Sequence, residues 1–340
     1  MVHHDETAVA PAADRRASSA DRTPWRPPDW RRNLQLALAT VWLLDGVLQL
    51  QPLMFTAGSK GLSGMIGASA QGNPRTVASS ITWNAGLVDH HAVVANSGFA
   101  LIQLVLGLGI AWRPAVKPAL ATSVVWSLGV WWFGEGLGGV LHGAGTPVAG
   151  GPGAVLFYAL LAVVLWPAGS AAGPYPFAAA GTVGAEAAKA VWAVVWGVLA
   201  VLCLLGSGRA ATGIHEVITS VNAGQPGWLS TLDDRAASAI GHDGLAVALV
   251  LVAVCLLVGA GVYLPAGLTR ITLVLGMVVA VAIWVGTENF GMILAGGATD
   301  PNSGPLIVLL ALAYWPVGEA VASQPATART TGAELALEVR

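Results

Sequence analysis

Eight apolar stretches, each near the roughly 20 residues a bilayer requires, constrain this chain more than any other feature. They run approximately 34–52, 91–111, 117–133, 153–168, 187–206, 243–263, 268–286 and 304–321. A soluble core cannot hide so many. Of the 340 residues, 55% are apolar and only 10% are charged, against about 25% charged in an ordinary soluble domain. The expected fold class is therefore all-α, a polytopic integral membrane protein of about 8 transmembrane helices with the lipid bilayer as its first partner. The fourth and eighth stretches are the shortest and suit tilted or partly re-entrant segments.

The flanks give an orientation. Residues 1–32 are polar, rich in Pro and Arg, and lack the apolar core of a signal peptide. They read as a disordered cytoplasmic tail, and 322–340 as a second one. Arg15, Arg16, Arg22, Arg26, Arg31, Arg32, Arg113, Lys117, Lys189, Arg270, Arg329 and Arg340 fall on one side of the eight spans. Lys60, Arg75, Arg209 and Arg235 fall on the other. The positive-inside rule then places both termini in the cytoplasm, across a plasma membrane. The Ala, Val, Gly and Arg usage suits a GC-rich bacterial source. A net charge of −2 gives no long-range pull on nucleic acid. Cys203 and Cys255 each sit alone in an apolar run, so a disulfide framework and a Cys-x-x-Cys dithiol are both excluded as expectations.

The chain repeats itself. Trp131–Pro152 aligns without gaps on Trp284–Pro305, matching Trp131 with Trp284, Glu135 with Glu288, Gly143 with Gly296 and Pro152 with Pro305. Trp-Pro closes each copy at Trp166-Pro167 and Trp315-Pro316. His91 precedes Pro114 by 23 residues, as His242 precedes Pro265, and Trp42 corresponds to Trp196. The expectation is two tandem pseudo-symmetric four-helix repeats, 33–168 and 187–321, joined by a linker at 169–186. The loops at about 53–88 and 207–241 exceed simple turns. Leu62, Met65 and Ile66, and Ile214, Val217 and Ile218, predict one short amphipathic helix in each.

Ionisable residues near membrane spans are costly and mark candidate sites. Asp89, His90 and His91 open the second span; Glu135 ends the third, with His142 beyond it. His242 opens the sixth and Glu288 ends the seventh. All face the outer side in this topology. Three readings stay open. In the first, His91, His242, Glu135 and Glu288, with His90 and His142, hold a transition metal (copper, iron or zinc) or a haem between the copies. Trp131, Trp132 and Trp284 then supply a wall for a quinone, or else an interfacial aromatic belt. In the second, Asp45 inside the first span and Asp89 mark a proton or cation path of a small-solute transporter. In the third, the two glutamates accept N–H groups of the Gly-rich segments after them, and the protein is an accessory or scaffold subunit. Those segments lack the Gly-x-x-x-x-Gly-Lys pattern of a phosphate loop.

Residues Asn33–Gly46 resemble the opening helix of the DoxX-like membrane proteins, and Leu256–Arg270 resembles that family's turn between its second and third helices. The resemblance covers about half of each copy and is mostly hydrophobic pattern. It implies a four-helix fold per copy and association with membrane oxidoreductase assemblies, including other redox subunits as partners. The doubling, the Trp/Glu/Gly block and the long outer loops are departures from that family.

Overall fold

The computed structural model describes residues 29–167 and 176–317. Most of the 1–32 tail, part of the 169–186 linker and all of 322–340 lie outside the described residues. So do Arg15, Arg16, Arg22, Arg26, Arg329 and Arg340.

Among the described residues all regular structure is helical. The first half runs α1 (Trp30–Leu48), α2 (Leu62–Ala68), α3 (Arg75–His90), α4 (Ala92–Ala111), α5 (Val116–Phe133) and α6 (Ala154–Val164). A short α7 (Ala180–Val183) leads to the second half: α8 (Ala185–Leu202), α9 (Gly213–Ser220), α10 (Gly227–Ile240), α11 (Gly244–Gly261), α12 (Ala266–Gly286) and α13 (Ser303–Ala313). Each of the eight apolar stretches thus holds a helix among its described residues. Four of the helices are long and apolar enough to cross a membrane, in Ala92–Ala111, Ala185–Leu202, Gly244–Gly261 and Ala266–Ala295. A fifth is reached if Arg113–Phe133 and Gly136–His142, bent by 54°, form one span. Helices α6 and α13 have 11 residues each, about 16 Å at 1.5 Å per residue, half a hydrocarbon core. Helix α1 is diluted by Arg31, Arg32, Gln35 and Asp45.

The surface agrees with helices long and apolar enough to cross a membrane. Val94 and Leu101 on α4, Val125 on α5, Val194 on α8, Val250 on α11 and Ile271 on α12 all stand exposed. Soluble monomers do not present apolar patches of this extent, whereas lipid solvates them. The buried stripe is aromatic. Trp192 donates through Nε1 to Val258 O at 2.9 Å and packs against Trp196 and Tyr314 at ring distances of 5.5 and 4.7 Å.

Two expectations are corrected. Each long loop carries two helices, α2 with α3 and α9 with α10, instead of one. Further, Asp89 and His90 do not open the second membrane helix. They end α3, and His91 (φ −130°, ψ 35°) is the hinge between α3 and α4. The apolar stripe of Val77, Ile81, Ala85 and Val88 explains this, since it lets α3 lie over the bundle with Leu62 and Ile66 beneath it.

Basic residues gather at the opposite end. Arg31 reaches Trp166 O, Ala178 O and Thr182 Oγ1; Arg32 reaches Ile110 O and Ala111 O; Arg270 reaches Pro316 O. Each arginine thereby ties backbone carbonyls near helix ends, those of Ile110 and Ala111 lying in the last turn of α4.

Candidate functional site

After α5 the chain turns through Gly136–His142 with Leu137, Gly138 and Gly139 all at positive φ, and after α12 it turns through Asn289–Ala295 with Phe290, Gly291 and Met292 likewise. A tryptophan ties each turn down. Trp131 Nε1 donates to Pro152 O at 2.7 Å, and Trp284 Nε1 to Pro301 O at 2.6 Å. The ungapped match of Pro152 with Pro305 therefore fails, because Pro301 plays the equivalent role. The second connector is shorter between Gly296 and α13 than the first between Gly143 and α6.

The connectors lean across the molecule. Val148 of the first packs with Ile214, Ile218 and Ala237 of the second half. Ala298 of the second accepts from Gln51 Nε2 at 2.9 Å, which brings Thr299 and Asp300 into the first half.

There, α1, α4, α5 and α6 line a cavity of about 620 Å³ under the α2–α3 cap, open at a rim where Trp83 and Val125 are exposed and bordered inside by Asp45, Gln103, Glu135, Tyr158 and Asp300. Its apolar wall joins Trp42, Trp83, Phe99, Trp126 and Phe133 to aliphatic side chains such as Ile66, Ile102 and Val155. No Lys, Arg or His borders it among the described residues. Asp45 and Tyr158 are each 1% exposed. Asp45 Oδ1, Gln103 Oε1, Glu135 Oε2 and the Tyr158 hydroxyl are buried without a hydrogen-bond partner in the protein. The Tyr158 hydroxyl lies beside the Asp45 carboxyl, but not in bonding geometry. Buried polar atoms are nearly always paired, so four orphans on one cavity wall are a concentration of unmet polarity.

The two glutamates differ. Glu135 accepts from the Val155 N–H at the start of α6. It packs over Gly153, where a Cβ would stand 2.2 Å from Oε2. Glu288 accepts from Ser303 Oγ at 2.5 Å and from the Ser303 and Gly304 N–H groups at the start of α13. Both cap a helix N-terminus, where the orphan N–H groups favour a carboxylate.

Asp300 lies in the connector outside the spans. Burial pushes its carboxyl above the usual range, opposed by the Asn302 N–H at 2.7 Å and the Thr299 hydroxyl at 2.9 Å. Asp89 is on the cap, accepting from Gly58 N–H at 2.6 Å and Ser63 Oγ at 2.8 Å. Those two bonds hold its carboxyl below the usual range.

The other candidate residues stand apart from the cavity. His90, His91, His142 and His242 are exposed, and His142 lies against Gly72. No group of three or more His, Cys, Asp or Glu among the described residues could hold a metal ion. Trp131 and Trp284 are occupied with their proline carbonyls, and Trp132 Nε1 donates to Ser80 Oγ at 2.9 Å on the cap. These three make no common wall; Trp42, Trp83 and Trp126 border the cavity instead. Sequence reasoning found Asp45 and Glu135 but missed Gln103, Tyr158 and Asp300. Gln103 and Tyr158 carried the same signal as Asp45, a polar group inside an apolar run. Asp300 carried none, because only the crossing of the connector brings it there.

No protein-family model, curated protein or solved structure matches the chain.

Proposed function

We propose that this protein is a plasma-membrane carrier that binds a small solute in the first-half cavity and couples its passage to protons. The observation that carries this reading is the set of four unpartnered polar atoms on the cavity wall, Asp45 and Glu135 among them. Carboxyl groups within a membrane bundle are costly to bury and by default mark substrate and proton paths. The proposed frame is eight helices in two tandem repeats, with α6 and α13 as half-length spans. The shared element order and the paired Trp-to-Pro hydrogen bonds support it. With the arginine-rich end in the cytoplasm, the α2–α3 cap and the cavity beneath it face outward.

Vesicles holding the reconstituted protein and a pH-sensitive dye test the carrier reading. A panel of cationic, neutral and anionic aromatic solutes should include one that drives proton movement well above protein-free vesicles. Gly129 borders the cavity, and a Cβ there meets nothing within 4 Å. Gly129→Leu should fill the cavity and abolish the movement. Silence with every solute, or movement unchanged in Gly129→Leu, overturns the reading. The redox subunit that the DoxX-like resemblance implies is the second reading. The aromatic lining, which suits a quinone ring, favours it. A quinone extracted from natively purified protein, or a haem Soret band, would support that reading over transport.

A further inference from the structure

We infer that the cavity takes an amphipathic organic cation, bound in exchange for a proton carried by Asp45. The inference rests on the carrier reading and adds the chemical class of the solute. Charge gives the sign. Asp45 from α1, Glu135 from the end of α5 and Asp300 from the second connector all border the cavity. The groups facing Asp45 are Tyr158 on α6 and Asp300, with no Lys, Arg or His on the lining to neutralise any of them. An ionised carboxylate without a counter-charge is expensive in such an interior. The empty site therefore carries protons, and a bound cation replaces one of them as the partner of the carboxylate. An anion would meet three acids and no base. A neutral solute without a hydrogen-bond donor would leave Asp45 Oδ1 as unpartnered as it now stands, and one with a donor would offer no charge to an ionised carboxylate.

Size and lining decide between inorganic and organic cations. A bare metal ion needs several ligands closing at about 2–2.6 Å, and no group of three or more His, Cys, Asp or Glu among the described residues closes that way. The cavity holds about 620 Å³, within the roughly 300–1,000 Å³ of small-molecule sites. Trp42, Trp83, Phe99 and Trp126 give it an aromatic wall. Such faces attract organic cations and bury their apolar bodies. Gln103 Oε1 and the Tyr158 hydroxyl remain as hydrogen-bonding groups for an ammonium or amino substituent.

The exchange is balanced. The carboxylic acid of Asp45 gives its proton to water, the resulting carboxylate pairs with the incoming cation, and no electrons move. Binding thus tightens as pH rises and releases protons into an unbuffered solution.

The test uses the full chain in detergent with three fluorescent probes: ethidium (cationic), phenylnaphthylamine (neutral) and anilinonaphthalenesulfonate (anionic). Ethidium should bind with proton release and with affinity that rises with pH. Asp45→Asn should weaken ethidium by at least about tenfold, roughly 1.4 kcal/mol, and abolish proton release while leaving the neutral probe unchanged. The substitution keeps the side chain's shape and removes no hydrogen bond from Oδ1; elution volume and helical circular dichroism check folding. Equal binding of all three probes, or ethidium binding indifferent to Asp45→Asn, overturns the inference. Gly129→Leu separates the two levels. If it abolishes binding of a neutral or anionic probe that Asp45→Asn leaves intact, the cavity binds solutes and only the charge assignment is wrong. If no probe responds to Gly129→Leu, the carrier reading falls with it.

Discussion

Beside α1, Trp42, Asp45 and Tyr158 border about 620 Å³ of space; beside α8, Trp196, Leu199 and Ile307 border about 20 Å³. In the proposed repeat Trp42 matches Trp196, which aligns Asp45 with Leu199. The Trp-Pro pairs closing each half align Tyr158 with Ile307, and His91 with His242 aligns Gln103 with Val254. Asp45, Gln103 and Tyr158, three of the polar side chains on the cavity wall, are thus apolar in the other half, and there the interior closes. Glu288 Oε1 gains the Ser303 hydroxyl that Glu135 lacks, although Oε2 is unpartnered in both. The same helix order thus gives one packed half and one open half. The difference lies in a few polar positions, not in the backbone plan.

The largest effect expected comes from exchanging the two interiors. Leu199 is buried beside apolar neighbours, so Leu199→Asp leaves a carboxyl without a partner and costs about 3–5 kcal/mol. Asp45→Leu should leave stability equal or raise it while eliminating ethidium binding, because it removes an unpaired buried acid. Reversible unfolding in mixed micelles measures both. Equal destabilisation by the two variants would show that Asp45 is held by bonds as firmly as Leu199 is by packing.

Sequence reasoning found the apolar helices because long apolar runs announce themselves, four of them long and apolar enough to cross a membrane against the eight expected, and it located Asp45 because an acid inside such a run stands out. It did worse wherever tertiary contact decides. The cap helices α3 and α10 are amphipathic but not strongly apolar, so they read as loop. The ungapped match of Pro152 with Pro305 hid the shorter second connector, which only the Trp131 and Trp284 hydrogen bonds expose. The histidines drew notice by matched spacing, yet they stand on the surface. Asp300 reaches a cavity built by residues more than 100 positions away in the chain, a relation that no local pattern encodes.

Glycines sharpen the contrast at the next scale. At Gly276 a Cβ would lie 3.0 Å from Val258 Cγ1 and 3.1 Å from Trp196 Cζ2, whereas at Gly129 it meets nothing. Gly276→Ala should cost about 1–3 kcal/mol through overpacking. Gly129→Ala should gain about 0.5–1 kcal/mol from helix propensity alone. The same unfolding assay reads both, and a loss at Gly129 as large as at Gly276 would mean that the first half is no more open than the second.

The smallest effects separate two aspartates that lie outside the spans. Asp300 is raised by burial, so its ionisation opposes folding. Its unfavourable contribution is absent below the unfolded value of about 3.9 and grows as pH rises from there towards the raised value. Asp300→Asn should therefore flatten the decline of stability above that point and change little below it. Asp89 is lowered by the Gly58 N–H and the Ser63 hydroxyl. Its contribution is present above about 3.9 and is lost as pH falls through the depressed folded value. The group is partly exposed, so the readout is local: hydrogen exchange of the Gly58 amide should quicken on acidification in the native chain. In Asp89→Asn that pH dependence should vanish. An exchange rate at Gly58 that follows acid equally in both chains would show that the cap is held by the α2–α3 packing of Leu62, Ile66 and Ile81 rather than by this carboxylate.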